Sequence, residues 1–143
     1  MGANMATNAK PISIAQQQVD HDSAAKAFPV ALEILGKWKC SVNEKMVLLG
    51  FTSRSTFNYA AKDPDRFQGY GPDLLERMSY IINIHKSLRI LYSLEDSQYG
   101  WVRKLNSEPF FAGRSAMEVM MNGRMIDLWQ VASRLHAWRG GQS

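Results

Sequence analysis

The chain has 143 residues, 45% of them hydrophobic and 10% aromatic, and carries a formal net charge of +4. That length suits one ordinary domain and excludes several independent ones, and the apolar content excludes wholesale disorder. The charge admits an acidic protein or nucleic acid as partner but falls short of a histone-like excess, and a single cysteine, Cys40, excludes an intramolecular disulfide. No apolar run reaches the roughly 18 residues that span a bilayer. No charged segment followed by an apolar stretch opens the chain, so the expectation is a cytoplasmic protein without a membrane partner.

Residues 1–22 are poor in large apolar side chains and include Gln16-Gln17-Gln18, which predicts a flexible tail. Ser23 is then the expected N-cap of a first helix, on which Phe28, Ala31, Leu32, Leu35 and Trp38 recur at helical spacing, with Pro29 close to its start. Ser41 followed by Glu44 is a capping-box pattern, and Gly50 provides the reversal that ends the helix it opens. Thr52 or Ser53 caps a second short helix, which stops near Lys62 ahead of Asp63-Pro64. Residues 23–66 therefore read as a helix-turn-helix module.

Within residues 67–106 lies the strongest periodic signal. Leu74, Leu75, Met78, Ile81, Ile82, His85, Leu88, Leu91 and Tyr92 follow helical spacing, and predict a helix of about six turns. Tyr80, Ile84 and Ile90 fall off this stripe and imply a second burying partner, another subunit, which makes the segment a dimer core. A shorter helix over 96–105 is expected to turn Trp101, Val102 and Leu105 inward.

Residues 107–143 form the last module. Ser115 caps a short helix with Met117, Val119, Met120 and Met121, and Asn122-Gly123 ends it. A closing helix carries Ile126, Leu128, Val131, Ala132, Leu135 and Trp138 before Gly140-Gly141 frees the chain. No strand pattern competes, so the expected fold class is all-α, a compact helical bundle.

Catalytic chemistry finds little support. His21, His85 and His136 have no metal-ligand spacing, the glycines form no phosphate loop, and no nucleophile elbow is present. The expectation is a protein that is not an enzyme and holds neither metal nor cofactor; Cys40 reads as a small buried apolar residue. On the second helix of the hairpin, Arg54 suits guanine or phosphate and Asn58 suits adenine, while Ser53, Ser55, Thr56 and Tyr59 suit the backbone of a duplex. The same residues read equally well as a solvated polar face. The Met-rich segment reads as core filling or as an adaptable partner surface. The ending Trp138-Arg139-Gly140-Gly141 reads either as an end that enters a partner's cleft or as a frayed terminus.

The segment Pro109-Phe110-Phe111-Ala112-Gly113-Arg114-Ser115-Ala116-Met117-Glu118-Val119-Met120 resembles the Phe-x-Gly-x-Ser segment of the Xre/MbcA/ParS antitoxins, carried here by Phe111, Gly113, Arg114 and Ser115. The run from Leu128-Trp129 to Gly141 resembles that family's closing helix, and Leu48 to Phe57 resembles its Xre-type helix-turn-helix, so the likeness covers about residues 24–141. The resemblance implies an antitoxin that binds a RES-domain toxin acting on NAD, an NADase or ADP-ribosyltransferase, and occludes its active site with Trp138, Arg139, Gly140 and Gly141. It also implies a dimer or larger toxin-antitoxin assembly that represses its own operon. The alternative is a DNA-binding transcriptional regulator without a toxin. The second hairpin helix carries only Arg54 and Lys62 as cations, and Ala116 stands where relatives often have Pro.

Overall fold

The computed structural model describes residues 14–141, which form seven α-helices: α1 Ile14–Lys37, α2 Val42–Leu49, α3 Arg54–Lys62, α4 Pro72–Leu91, α5 Glu95–Gly100, α6 Ala116–Met120 and α7 Met125–Gly141. A single 3-10 turn, Trp101–Arg103, follows α5, and an isolated antiparallel bridge joins Leu105 to Ser115. The expected all-α class holds.

Helix α4 is the central element, packed between α1 on one side and α7 on the other. Arg77 near its start meets Gly123 just ahead of α7, and Ser87 near its end meets Arg139 near the end of α7, so the two helices run side by side in the same direction. This double cover explains a departure from the expected stripe. Ile84 is fully buried although it lies off the main apolar line, because the covered arc of α4 spans both neighbours. The core gathers Phe28, Leu35 and Trp38 from α1, Met78, Ile81, Ile84 and Leu88 from α4, and Leu128, Val131 and Leu135 from α7. Each such side chain contributes about 1.5–3 kcal/mol by leaving water.

Three expectations about the chain ends and loops need correction. Residues 14–22 are not a tail: α1 begins at Ile14, and Ser23 is an exposed position inside it rather than its N-cap. His21 fixes this first part, its Nε2 lying 2.8 Å from the carbonyl oxygen of Phe67 and its ring edge-on to Tyr70. The rest of the expected tail, 1–13, lies outside the described residues. Pro29 is accommodated in mid-helix on the solvent side. Leu105 was expected inward but is 77% exposed, and Ile126 of the closing helix is exposed as well. Gly140 and Gly141 do not free the chain, because α7 continues through both.

The hairpin follows its local signals closely. Ser41 and Glu44 make the reciprocal capping box of α2, and Ser53 caps α3 by accepting from the Thr56 amide at 3.2 Å. Gly50 sits at φ 78, with Gly50 N–H donating to Val47 and Phe51 N–H to Met46, the paired bonds of a Schellman turn. A side chain there would be strained twice, by that φ and by approach to Arg77 Nε at 2.9 Å.

Candidate functional site

Two surfaces hold the residues singled out from sequence. The first is the outer face of α3. Phe57 and Ala60 anchor this helix inward, with the Phe51 ring packed edge-on to Phe57 at 5.3 Å and tilted against Phe67 and Phe28. Arg54, Ser55, Thr56, Asn58 and Tyr59 are all exposed. Positions 54, 55, 58, 59 and 62 share one side by helical spacing, so a polar strip with Arg54 and Lys62 faces solvent. Arg54 is held at the start of the strip, donating to Asn43 Oδ1 of α2 at 2.7 Å. Ser53 is used locally: its hydroxyl caps the helix and lies 3.0 Å from that of Ser55.

The second surface is built by the loop 104–115 and α7. Phe111 is fully buried against Trp101, with ring centroids 5.9 Å apart. The chain then turns through two left-handed residues, Ala112 at φ 51 and Gly113 at φ 86, and Gly113 N–H donates to Asn106. Arg114 folds back on this loop, donating to the carbonyls of Phe111 and Phe110 at 2.9 Å each. Ser115 and Glu118 form a second capping box at the start of α6. The four motif residues Phe111, Gly113, Arg114 and Ser115 thus act as plug, turn, clip and cap. Met117 and Met120 are buried beneath them, so the Met-rich helix fills core.

Helix α7 is fastened to this loop by Arg134, whose guanidinium stacks on the Phe110 ring at 3.8 Å. One turn later Trp138 is half-buried, edge-on to Trp101 at 6.1 Å. The expected docking residues Trp138, Arg139, Gly140 and Gly141 therefore divide. Trp138 secures the helix end, whereas Arg139 turns toward α4, with Nη1 3.5 Å from Ser87 Oγ, and Gly140 and Gly141 are exposed and helical. Between α4 and α7 lies an open groove of about 330 Å³, lined by Tyr80, Asn83, Ser87, Trp129, His136 and Arg139 among others.

Sequence reading missed the two arginines that set these surfaces. Arg77 is buried on α4 and reaches the carbonyl oxygens of Val47, Leu48 and Gly123 as well as Asp73. Arg103 bonds the carbonyls of Trp38 and Lys39 at the end of α1 and pairs with Glu44 at 2.9 Å. An arginine inside an apolar stripe, as at position 77 between Leu74 and Met78, was the available signal.

Reactive groups are muted by their surroundings. Burial, reinforced by the nearby Glu44 carboxylate, pushes the Cys40 thiol up to about 11. His85 stacks on Tyr99 at 5.2 Å, and burial lowers its pKa. Among the described residues no group of three His, Cys, Asp or Glu side chains is placed to hold a metal ion, and no helix is long and apolar enough to cross a membrane.

Comparison with known proteins finds a relative in the uncharacterized protein y4oB of Sinorhizobium fredii (strain NBRC 101917 / NGR234), 38% identical over 123 residues that make up 83% of this chain and 92% of that protein. No protein-family model and no solved structure matches the chain.

Proposed function

We propose that this chain, which belongs to the same family as the y4oB protein of Sinorhizobium fredii, is a bacterial cytoplasmic antitoxin of a type II toxin-antitoxin system. It binds a RES-domain toxin acting on NAD and occludes the active site sterically, the chemistry belonging to the toxin. One observation carries the reading. The two C-terminal segments that resemble the Xre/MbcA/ParS antitoxins pack directly on each other through Arg134 on Phe110, while Trp138 packs on Trp101 just ahead of them. Residues far apart in the motif thereby build one rigid platform that presents the end of α7.

The bare end of that helix supports the same assignment. Among the described residues nothing would meet a methyl group added at Gly140 or Gly141, and neither has a left-handed backbone.

A second role, autorepression through α2 and α3 as a helix-turn-helix, is favoured by the exposed strip of Arg54, Ser55, Asn58 and Tyr59. A transcriptional regulator without a toxin partner is the competing reading.

The test is co-expression with a RES-domain toxin, sought first in the reading frame beside the gene, scored by cell survival. The full chain is expected to rescue growth. Because Trp138 belongs to the packed end of α7, the informative truncation removes residues 139–143 and leaves Trp138 in place. Loss of rescue with unchanged helicity is the expected result, and full rescue by the truncated chain overturns the docking assignment.

A further inference from the structure

A hollow of about 530 Å³, larger than the groove beside α7, lies where the end of α1 faces α5 and the 3-10 turn. Its wall is divided by charge. Lys37 and Lys39 stand at the end of α1, Glu95 and Asp96 stand in the first turn of α5, and the rings of Trp38 and Tyr99 supply apolar surface. Ile14, where the described chain begins, is about 35 Å away along α1.

The third cation of the wall is already engaged. Arg103 donates to the carbonyls of Trp38 and Lys39 and to the Glu44 carboxylate. The two lysines and the two acids, by contrast, form no ion pair among the described residues. Tyr99 is held from behind by His85, stacked on its ring at 5.2 Å, and Lys37 Nζ lies 5.8 Å from the ring centroid. Trp38 is 1% exposed, and its indole Nε1–H has no acceptor among the described residues.

Helix dipoles favour acids at the start of α5 and a base in the last turn of α1, so Lys37, Glu95 and Asp96 each have a local reason for their places. Lys39 has none. It lies past the last turn at φ 62, a backbone conformation that favours glycine, and its side chain makes no ion pair among the described residues. A strained residue kept on the wall of a hollow points to a ligand that uses its side chain.

A ligand of one sign would be repelled by half of this wall, whereas one carrying both charges meets a partner on each side. Separation then sets its length. Packed helix axes lie about 8–10 Å apart, and a hollow keeps α1 and α5 at least that distant. A single amino acid separates its charges by no more than about 3.6 Å, but a chain of two or three residues spans about 7–10 Å.

We infer that this hollow binds a zwitterionic dipeptide or tripeptide. The C-terminal carboxylate pairs with Lys37 and Lys39, the N-terminal ammonium with Glu95 and Asp96, and a side chain packs on the Trp38 and Tyr99 rings. The volume lies in the range that encloses small ligands, and a peptide carbonyl is the kind of acceptor that the Trp38 indole lacks. The site shares no residue with α3 or with the end of α7, so it stands or falls independently of the antitoxin reading.

The test is isothermal titration calorimetry of the purified full chain with Gly-Gly-Phe, Gly-Gly-Leu and Gly-Gly-Lys, each with free termini. At least one is expected to bind with a Kd of about 10 μM to about 1 mM. N-acetylation and C-amidation of that peptide should each weaken binding about tenfold. Lys39→Gly should weaken the free peptide about as much, with Tm equal to or above wild type, and should change binding of the amidated peptide little. Glu95→Gln combined with Asp96→Asn should likewise weaken the free peptide and change binding of the acetylated one little. Such paired losses identify which wall holds which terminus, and misfolding cannot imitate them. Absence of binding by all three peptides up to about 5 mM overturns the inference. Equal affinity for free and blocked peptides, or undiminished binding by Lys39→Gly, overturns it too.

Discussion

Arg77 Nη2 donates to the carbonyl oxygen of Gly123 at 2.9 Å, joining the central helix to the turn that launches α7 across 46 positions of sequence. Its other nitrogens serve Val47, Leu48 and Asp73, so one guanidinium satisfies the open carbonyls ending α2 and sets the start of α7 against α4. Both candidate surfaces take their placement from this residue.

Replacement of Arg77 by Met keeps much of the side-chain volume but removes the guanidinium donor from the Leu48 and Gly123 carbonyls, while Val47 keeps the Gly50 amide. The expected loss is about 2–4 kcal/mol, read as a lower midpoint of urea unfolding. Lysine at this position recovers only part, because a single ammonium cannot span the end of α2 and Gly123 together.

Lys39 occupies the left-handed position of a Schellman turn at the end of α1, with φ 62, Cys40 N–H bonded to Leu35 and Lys39 N–H bonded to Gly36. Its bond to Arg103 uses only the backbone carbonyl. Lys39→Gly is therefore expected to stabilise the fold by up to about 1 kcal/mol, visible as a Tm rise of a few degrees. An unchanged or lower Tm would show that the lysine side chain contributes more than its strain costs.

Glu44 is held below its ordinary carboxylate value of 4.5, first by hydrogen bonding from Arg103 and then by the Ser41 amide. A depressed folded-state pKa means that the contribution is complete above the unfolded value and disappears as the pH falls through the folded one. The Tm difference between wild type and Glu44→Gln should thus be constant near neutrality and shrink below about pH 4.5. A difference that grows on acidification would contradict the pairing with Arg103.

The Cys40 thiol, buried and pushed up to about 11, is protonated at neutral pH. A disulfide exchange reagent at pH 8 should react with the folded chain only as fast as it opens, and at the rate of a free thiol in urea. Rapid labelling of the native chain would place Cys40 at the surface.

Arg54 and Asn58 are exposed, so Arg54→Ala and Asn58→Ala should leave Tm within about 0.5 kcal/mol equivalent of wild type. If α3 reads an operator as proposed, binding at fixed salt should fall for both, and Arg54→Ala should also flatten the salt dependence where it meets a phosphate. Equal binding by wild type and both variants would remove α3 from the interface.

Legibility in the sequence tracked how local each determinant is. The capping box at Ser41, the cap at Ser115 and the Gly50 turn were readable because each is completed within about five residues. The helix start at Ile14 was not, since residues 14–22 hold only Ile14 and Val19 as large apolar side chains and His21 finds its partner 46 positions away at Phe67. Trp138 reads from sequence as part of the closing helix whose end either enters a partner's cleft or frays, and only the fold shows the tryptophan at position 101 that anchors it.

By itself the sequence determined the helices α2 to α4 and α6, the caps of α2, α3 and α6, the all-α class and the buried stripe centred on Leu74, Met78, Ile81 and Leu88. Periodicity and end chemistry are properties of a helix before it meets anything else. Which face is covered was decided only by the tertiary structure: Ile84 buried between two neighbours, Leu105, Ile126 and Trp129 left outside, and Arg77 recruited to three distant carbonyls. A helical repeat tells which residues share a side, whereas burial depends on how many other elements press against that side and from which directions.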